Sequence, residues 1–506
     1  MQSIAELLQT GDEARSAIGA PEGVAPLRYR ELRQLVERTV LRLNGLGIGR
    51  NDRVAIVLPN GPEMASAFVA IAAGATTAPL NPGYRAEELE FYLSDLRCRA
   101  LVVQAGTDSP ARAAAAKLGI PILELRAERE KGAGSFVLDA PPGLNGTPAS
   151  GGFGGADDTA LVLHTSGTTA RPKIVPLLQR NLLATARHIG QSLELTPDDL
   201  CLNIMPLFHI HGLMAAVLAS LGSGAQVCCT PGFNALKYFG WLDEVKPTWT
   251  TAVPTMHQAI LQRAPRNPES VARSRLRLIR SSSASLPPQV MEELERTFRA
   301  PVLESYGMTE AAHQMASNPL PPRQRFPGSV GIAAGPEIAT MDEQGNLLAA
   351  GAVGEVVIRG PNVTPGYDRN PEANAKAFTN GWFRTGDQGV LDGQGYLRLT
   401  GRLKELINRG GEKISPLEVD EILMDHPAVQ QVVTFAMPHD KLGEEVAAAV
   451  VLREGKSATE RELRDFAAKR LADYKVPRRI VVVAEIPKGP TGKLQRIGLA
   501  EKLGLP

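Results

Sequence analysis

The sequence predicts an α/β protein with a large N-terminal domain of parallel and mixed sheets covered by helices, a small β-rich subdomain and an α+β C-terminal domain. Three observations carry this reading. Apolar β-rich runs alternate with Ala-rich helical runs early in the chain, the pattern of parallel sheets packed under helices. From about residue 337 to 400 the runs shorten and are separated by Gly-rich turns. After Gly401 helix and strand patterns mix again in a tail of about a hundred residues, enough for a core of its own. At 506 residues the chain exceeds one small core and suggests roughly two to four domains.

In order, residues 53–58 read as a strand, 62–73 as a helix, 76–80 as a strand, 86–96 as a helix, 100–103 as a strand and 111–118 as a helix. The Gly/Ser/Pro-rich segment 148–155 reads as a mobile linker or surface loop. A second cycle follows, with short apolar strands at 200–205, 225–229, 248–252, 276–279 and 301–303. Each ends near polar or Gly-rich residues, and ligands of open α/β sheets sit at the carboxyl ends of strands. Strands at 354–359 and 395–400 belong to the β-rich part. In the tail, 416–424 and 460–471 read as helices and 429–437, 445–453 and 479–483 as strands.

Fifty-five basic against 54 acidic residues leave a net charge of +1, so no global field favours nucleic acid or an anionic membrane. Cys98, Cys201, Cys228 and Cys229 show no CxxC spacing and read as buried thiols in a reducing compartment. The first residues carry acids and no basic leader into an apolar run, unlike a secretory signal. The longest apolar stretches, near 65–73 and 212–221, are too short to span a bilayer. Gly504-Leu505-Pro506 matches neither a prenylation box nor a peroxisomal tripeptide. A cytoplasmic protein with no membrane span is expected, a monomer or homodimer with small-molecule partners.

The run Thr165-Ser166-Gly167-Thr168-Thr169-Ala170-Arg171-Pro172-Lys173 follows an apolar strand pattern with four hydroxyls, a glycine and a lysine. Hydroxyls and backbone N–H groups of such a turn can donate to phosphoryl oxygens from several sides, and a lysine adds a mobile charge. No Gly precedes Lys173, so this is not a Walker A loop. Tyr306-Gly307-Met308-Thr309-Glu310 combines an aromatic face, a glycine, a hydroxyl and a carboxylate. Alone it would read as a turn with a buried Tyr, as Asp387 alone would read as a turn residue and Lys493 as a solvated tail lysine. His209 and His211 flank Ile210 in a strand-to-turn setting, and on an extended segment they would share one face. Zinc is the alternative for His-x-His, but no further ligand cluster lies nearby.

Taken in order, these motifs, with Phe208-His209-Ile210-His211-Gly212, Arg384-Thr385-Gly386-Asp387, Gly401-Arg402-Leu403-Lys404-Glu405 and Pro490-Thr491-Gly492-Lys493, resemble those of the adenylate-forming enzymes. That family includes acyl-CoA synthetases, luciferases and peptide-synthetase adenylation domains. Two positions depart from its phosphate loop, Ala170 and Ile174, where the family usually carries Gly. The resemblance implies an N-terminal AMP-binding domain over residues 1–400, a hinge at 401–404 centred on Lys404, and a mobile C-terminal domain over 405–506. It implies ATP, Mg²⁺ and coenzyme A as partners of a carboxylic acid. Thr165 to Thr169 and Lys173 would cradle the β- and γ-phosphates, Tyr306 stack on adenine, Thr309 reach the α-phosphate and Glu310 hold Mg²⁺. Gly307 and Met308 belong to the same nucleotide motif, and Ser282, Ser283 and Ala284 form a small-residue turn beneath the base. Asp387 and Arg402 would bind the ribose, Lys493 would bridge substrate carboxylate and α-phosphate, and Gly410 and Gly411 would line the pantetheine channel.

The resemblance places His209 as a gate to the acyl pocket. His211, His313 and Ser281 to Ser283 would bring imidazoles and hydroxyls to the same pocket, suited to a small second carboxylate that would be costly to bury without partners. The stretches 206–212 and 308–320 look particularly like oxalate–CoA ligases. A two-step acid–CoA ligase acting on oxalate is therefore expected. The alternatives are a medium- or long-chain fatty-acid or aromatic-acid ligase, a peptide-synthetase adenylation domain, and a non-catalytic nucleotide-binding protein on the same fold.

Overall fold

The computed structural model describes residues 2–165, 172–489 and 492–505. Two large sheets build about the first two-thirds of the chain. In the seven-stranded sheet, Arg53–Val57 lies parallel between Thr76–Pro79 and Ala100–Gln104. Thr159–His164 continues the parallel set, and antiparallel Phe136–Asp139 and Ile174–Leu178 form the two edges. In the nine-stranded sheet, Val302–Met308, Leu278–Ser282, Trp249–Ala252, Leu200–Asn203, Gln226–Cys229 and Ser16–Gly19 run side by side and parallel. His313–Ser317 pairs antiparallel beyond Val302–Met308.

The helices between the sheets are apolar on every side. Pro62–Ala72 starts with Pro at its first turn and buries every residue from Met64 to Ala72, and His211–Leu218 forms a wide π-helical turn that is wholly buried. A helix without a polar face belongs inside, and both sit in the largest core cluster. A second core covers the other face of the nine-stranded sheet beneath Tyr238–Val245, Pro254–Arg263 and Pro288–Phe298. Side chains alternate along a strand, so Leu278 and Arg280 face the core between the sheets, whereas Ile279 and Ser281 face the outer one.

Next comes an antiparallel five-stranded sheet: Glu337–Met341, Val353–Arg359, Phe378–Thr379, Trp382–Leu391 and Leu397–Arg402. The tail forms its own sheet, in which Val429–His439 pairs with Gly443–Leu452 and Arg479–Val482 joins in parallel after the helix Glu460–Ala468. Its apolar residues form separate clusters.

Most expected elements are present, with informative differences. The strand expected at 301–303 runs on through Tyr306 to Met308, because His313–Ser317 supplies an antiparallel partner that local pattern does not reveal. The strand expected at 276–279 is Leu278–Ser282. His211 is helical rather than extended: Ile210 has φ −52° and ψ −34°, and the apolar run after it coils into the core. Segment 148–155 is a surface loop tied at several points, including Arg50 N–H to the Ser150 carbonyl and Gly154 N–H to the Ala73 carbonyl, both 2.8 Å. All four cysteines are unpaired and buried. Among the described residues no helix is long and apolar enough to cross a membrane.

Candidate active site between the two domains

A cavity of about 230 Å³ opens between the N-terminal body and the tail, lined by Ser283, Ala284, Tyr306, Gly307, Asp387, Arg402 and Lys493 among others. Strand ends supply its floor. Leu278–Ser282 and Val302–Met308 pair in parallel as far as Ser282 and Ser305; the first then enters the small-residue turn at Ser283 and Ala284, and the second runs on to Met308 before the turn of Thr309 and Glu310. Gly307 is needed for close approach: a Cβ there would lie 1.6 Å from the His313 carbonyl oxygen. Opposite it, Ala312 and His313 take positive φ values of 48° and 104°. Such backbone costs energy in non-glycine residues and persists where surrounding contacts fix it.

Asp387 organises the cavity's far wall. The Tyr306 hydroxyl donates to its Oδ2 at 2.5 Å and Arg402 Nε donates to its Oδ1 at 2.9 Å. Asp387 in turn raises the Arg402 pKa. From the tail, Gly492 accepts a hydrogen bond from Thr255 Oγ1 at 2.8 Å, which sets the adjacent Lys493 over the cavity. Lys493 keeps solvent access, yet the protein packed around its ammonium, and then Arg402, lower its pKa. Gln431 Nε2 donates to Gln258 Oε1 at 3.0 Å and Arg398 pairs with Glu421 at 2.9 Å across the same junction.

On the phosphate side, Thr165 and Lys173 tie the base of the loop. Thr165 N–H donates to the Lys173 carbonyl at 2.9 Å and Lys173 N–H to Thr165 Oγ1 at 3.2 Å. Ser166, Gly167, Thr168 and Thr169 lie outside the described residues. Lys173 Nζ sits 4.3 Å from the centre of the Tyr367 ring, whose hydroxyl donates to Glu310 Oε1 at 2.9 Å. Burial raises the Glu310 pKa and lowers that of Lys173. Thr309 and Glu310 lie on one short turn, directly after the strand that carries Tyr306. Among the described residues no group of three metal-ligating side chains exists, so a cation at Glu310 would draw its other ligands from phosphate and water, as Mg²⁺ commonly does.

Behind Ser283 and Gly307 lies a cluster of buried polar side chains. His211, fully buried, lies with Nδ1 3.0 Å from Ser283 Oγ and Nε2 2.6 Å from Thr251 Oγ1. Its ring stacks on that of His313, centroids 4.9 Å apart. His209 Nδ1 accepts the His211 backbone N–H at 3.3 Å. Beneath them Arg280, also fully buried, donates to Gln314 Oε1 at 3.2 Å and reaches Thr251 Oγ1 at 3.4 Å. Burial first, then His313 beside His211 and Arg280 beside His313, holds both imidazoles well below their usual range; His209 is pushed down to about 4 by burial and Lys493. Burial lowers Arg280 to about 9, still a cation at neutral pH.

Several sequence expectations meet in this site and some do not. Ser281 does not join the histidines: the strand's alternation turns it to the outer core with Ile279, which corrects its expected place in the acyl pocket. Ser282 Oγ donates to the Ser305 carbonyl at 2.9 Å, leaving Ser283 as the hydroxyl that meets His211. Gly410 and Gly411 form an exposed turn away from the cavity, and Lys404 is exposed after the strand Leu397–Arg402. Arg280, Thr251, Gln314 and Tyr367 were not anticipated. The only signal for Arg280 was an arginine at the edge of an apolar strand pattern.

The description AMP-binding enzyme matches residues 11–368, and AMP-binding enzyme C-terminal domain matches 418–493. The chain is 46% identical to an oxalate–CoA ligase of Arabidopsis thaliana over 482 residues, 93% of this chain and 92% of that one. It is 40% identical to the oxalate–CoA ligase of Saccharomyces cerevisiae over 514 residues, covering 96% and 94%. Among solved structures, ATP-bound MatB from Rhodopseudomonas palustris superposes with a TM-score of 0.86 at 29% identity, covering 99% of both chains. The apo form of MatB gives 0.77. With both parts of the family matched in order on the two domains that enclose the cavity, the chain belongs to the AMP-binding enzyme family of acid–thiol ligases.

Proposed function

We propose that this chain is an oxalate–CoA ligase. The observation that carries the reading is the wall behind Ser283 and Gly307, where the buried rings of His211 and His313 stack on each other. Imidazoles and hydroxyls give a long apolar tail no matching surface. A second carboxylate finds donors, which offset the cost of removing it from water. The names of the two curated relatives point the same way.

In the first step one oxalate oxygen attacks the α-phosphorus of ATP, a new C–O–P link forms, and the bond to pyrophosphate breaks. In the second the CoA sulfur, as thiolate, attacks the acyl carbon of the mixed anhydride and AMP leaves with the bond electrons. Lys493 places its ammonium against the charge that builds during the first attack, an interaction that acts on rate more than on binding. Tyr306 offers its face to adenine, with Ser282, Ser283, Ala284, Gly307 and Met308 around the base. Asp387 and Arg402 take the ribose hydroxyls. Thr165, the loop to Thr169 and Lys173 take the outer phosphates, and Thr309 takes the α-phosphate. Mg²⁺ enters with ATP, and Glu310 is the carboxylate that would hold it. His209 stands between Lys493 and the acid. The tail then turns about Lys404 to bring Gly410 and Gly411 to the pantetheine arm.

Pyrophosphate exchange into ATP tests this directly. Exchange should require oxalate, and AMP should accumulate only when CoA is added. Release of ADP, or exchange indifferent to oxalate, contradicts the proposal.

A further inference from the structure

Arg280 is a fully buried cation with no acidic partner among the described residues. Its Nε has no hydrogen-bond partner, and its remaining contacts are the oxygens of Gln314 and Thr251 and the Nε2 of His211, 3.4 Å away. A buried guanidinium normally sits beside a carboxylate, because removing the charge from water without one is costly. Its place here therefore asks for a function.

The geometry gives one. Arginine carries donors and no acceptor. With Arg280 beside both Thr251 Oγ1 and His211 Nε2, that imidazole nitrogen is best left unprotonated, to accept from the Thr251 hydroxyl 2.6 Å away. The ring proton then sits on Nδ1 and points at Ser283 Oγ, 3.0 Å away. Ser283 accepts that proton and is free to turn its own hydroxyl into the cavity it lines. The same direction holds beside it: His209 Nδ1 accepts from the His211 backbone N–H, so His209 carries its proton on Nε2.

We propose that Arg280 is a positioning residue that fixes the direction of the chain Arg280–Thr251–His211–Ser283, so that each group donates to the next and the Ser283 hydroxyl ends as a donor towards the second carboxylate of the acid. This rests on the oxalate reading above. It adds that selection is by donor direction set from beneath the pocket, and that an acid whose second group must itself donate is excluded. The groups facing His211 are Arg280, His313, His209 and His257, all basic, with Thr251 and Ser283 as its hydrogen-bond partners. Burial, its basic neighbours and the Arg280 cation together keep the ring neutral.

The test measures KM for oxalate and for ATP at pH 6 and pH 8 in the parent enzyme, Arg280→Met, Arg280→Lys and Thr251→Val. In Arg280→Met and Thr251→Val at pH 8, KM for oxalate should rise about tenfold or more, the scale of one lost hydrogen bond to a charged group, with KM for ATP unchanged. Arg280→Lys should recover part of the loss. Burial and His313 hold His211 down more than Arg280 does, so the oxalate KM should stay flat between pH 6 and pH 8 in the parent and in Arg280→Met alike. Should Arg280→Met fail to fold, Thr251→Val and Arg280→Lys carry the decision. Unchanged oxalate KM in Thr251→Val, or oxalate and ATP KM rising together in every variant, overturns the inference. A parent enzyme that does not use oxalate overturns instead the reading on which it rests.

Discussion

Thr255 Oγ1 donates to the carbonyl of Gly492 at 2.8 Å, a bond that joins the N-terminal body to the loop carrying Lys493. In this arrangement Lys493 lines the cavity while Gly410 and Gly411 face solvent. The glycines lie on a different turn of the tail from Lys493 and do not line the cavity here. Lys493→Ala should therefore slow adenylate formation by roughly 10²–10³-fold, the loss of one donor aimed at developing charge. Thioester formation from supplied oxalyl-adenylate should stay largely intact. Equal losses in both half-reactions would show that the lysine acts on folding or binding instead.

Lys404→Pro should do the reverse. Proline fixes φ and restricts the residue before it, so the tail can stay docked as it is but turns with difficulty. Pre-steady-state measurement of each half-reaction should find adenylation near normal and thioester formation slowed. Two unaffected half-reactions would place the pivot elsewhere.

How much of this was legible depends on what each residue answers to. Tyr306, Asp387, Arg402 and Lys493 stand in motifs whose order along the chain points to one chemistry, and the structure brings them to one cavity. The histidines were legible as residues but not as geometry. Extended spacing would put His209 and His211 on one face, yet the apolar run after Gly212 coils between the sheets and turns His211 inward. Ser281 was misplaced for a related reason: a strand ended at 279 leaves the alternation of the next three serines undefined. Arg280 was missed altogether because composition argues against burying an unpaired arginine. Only the pairing of Thr251 with Arg280 in adjacent strands shows what it touches.

Ser283 holds a left-handed φ of 74°, which glycine adopts without steric cost. Ser283→Gly should relieve about 1 kcal/mol of backbone strain while removing the hydroxyl that meets His211. Melting temperature should hold or rise, and oxalate KM should rise with it. A fall in melting temperature with unchanged KM would assign Ser283 a purely structural part.

Glu304 lines the cavity with Oε2 buried and unpartnered, and burial pushes its pKa from 4.5 up to about 8. At neutral pH the folded protein holds a proton there that the unfolded chain releases. Its contribution to stability therefore falls as pH rises from 4.5 towards 8, by up to about 1.4 kcal/mol per unit. Glu304→Gln carries no such proton. Thermal melts of the ligand-free protein should show the variant gaining on the parent between pH 6 and pH 8. Parallel melting curves across that range contradict the shift.

His313→Ala should weaken use of oxalate most among the tested acids, since it removes one imidazole of the stacked pair. Oxalate KM should rise roughly 10- to 100-fold, the range expected for losing a hydrogen bond to a charged group. Steady-state assays with fixed ATP and CoA read this, and a variant with unchanged oxalate KM would remove His313 from the acid site.

The central claim is that the wall of His211, His313 and Ser283 selects a small dianion over an apolar acid. The most direct measurement is kcat/KM for oxalate, octanoate and coumarate on the unmodified enzyme, followed as AMP release in the presence of CoA. The account predicts that oxalate is used best. A clear preference for octanoate would contradict it and give the site to a fatty acid.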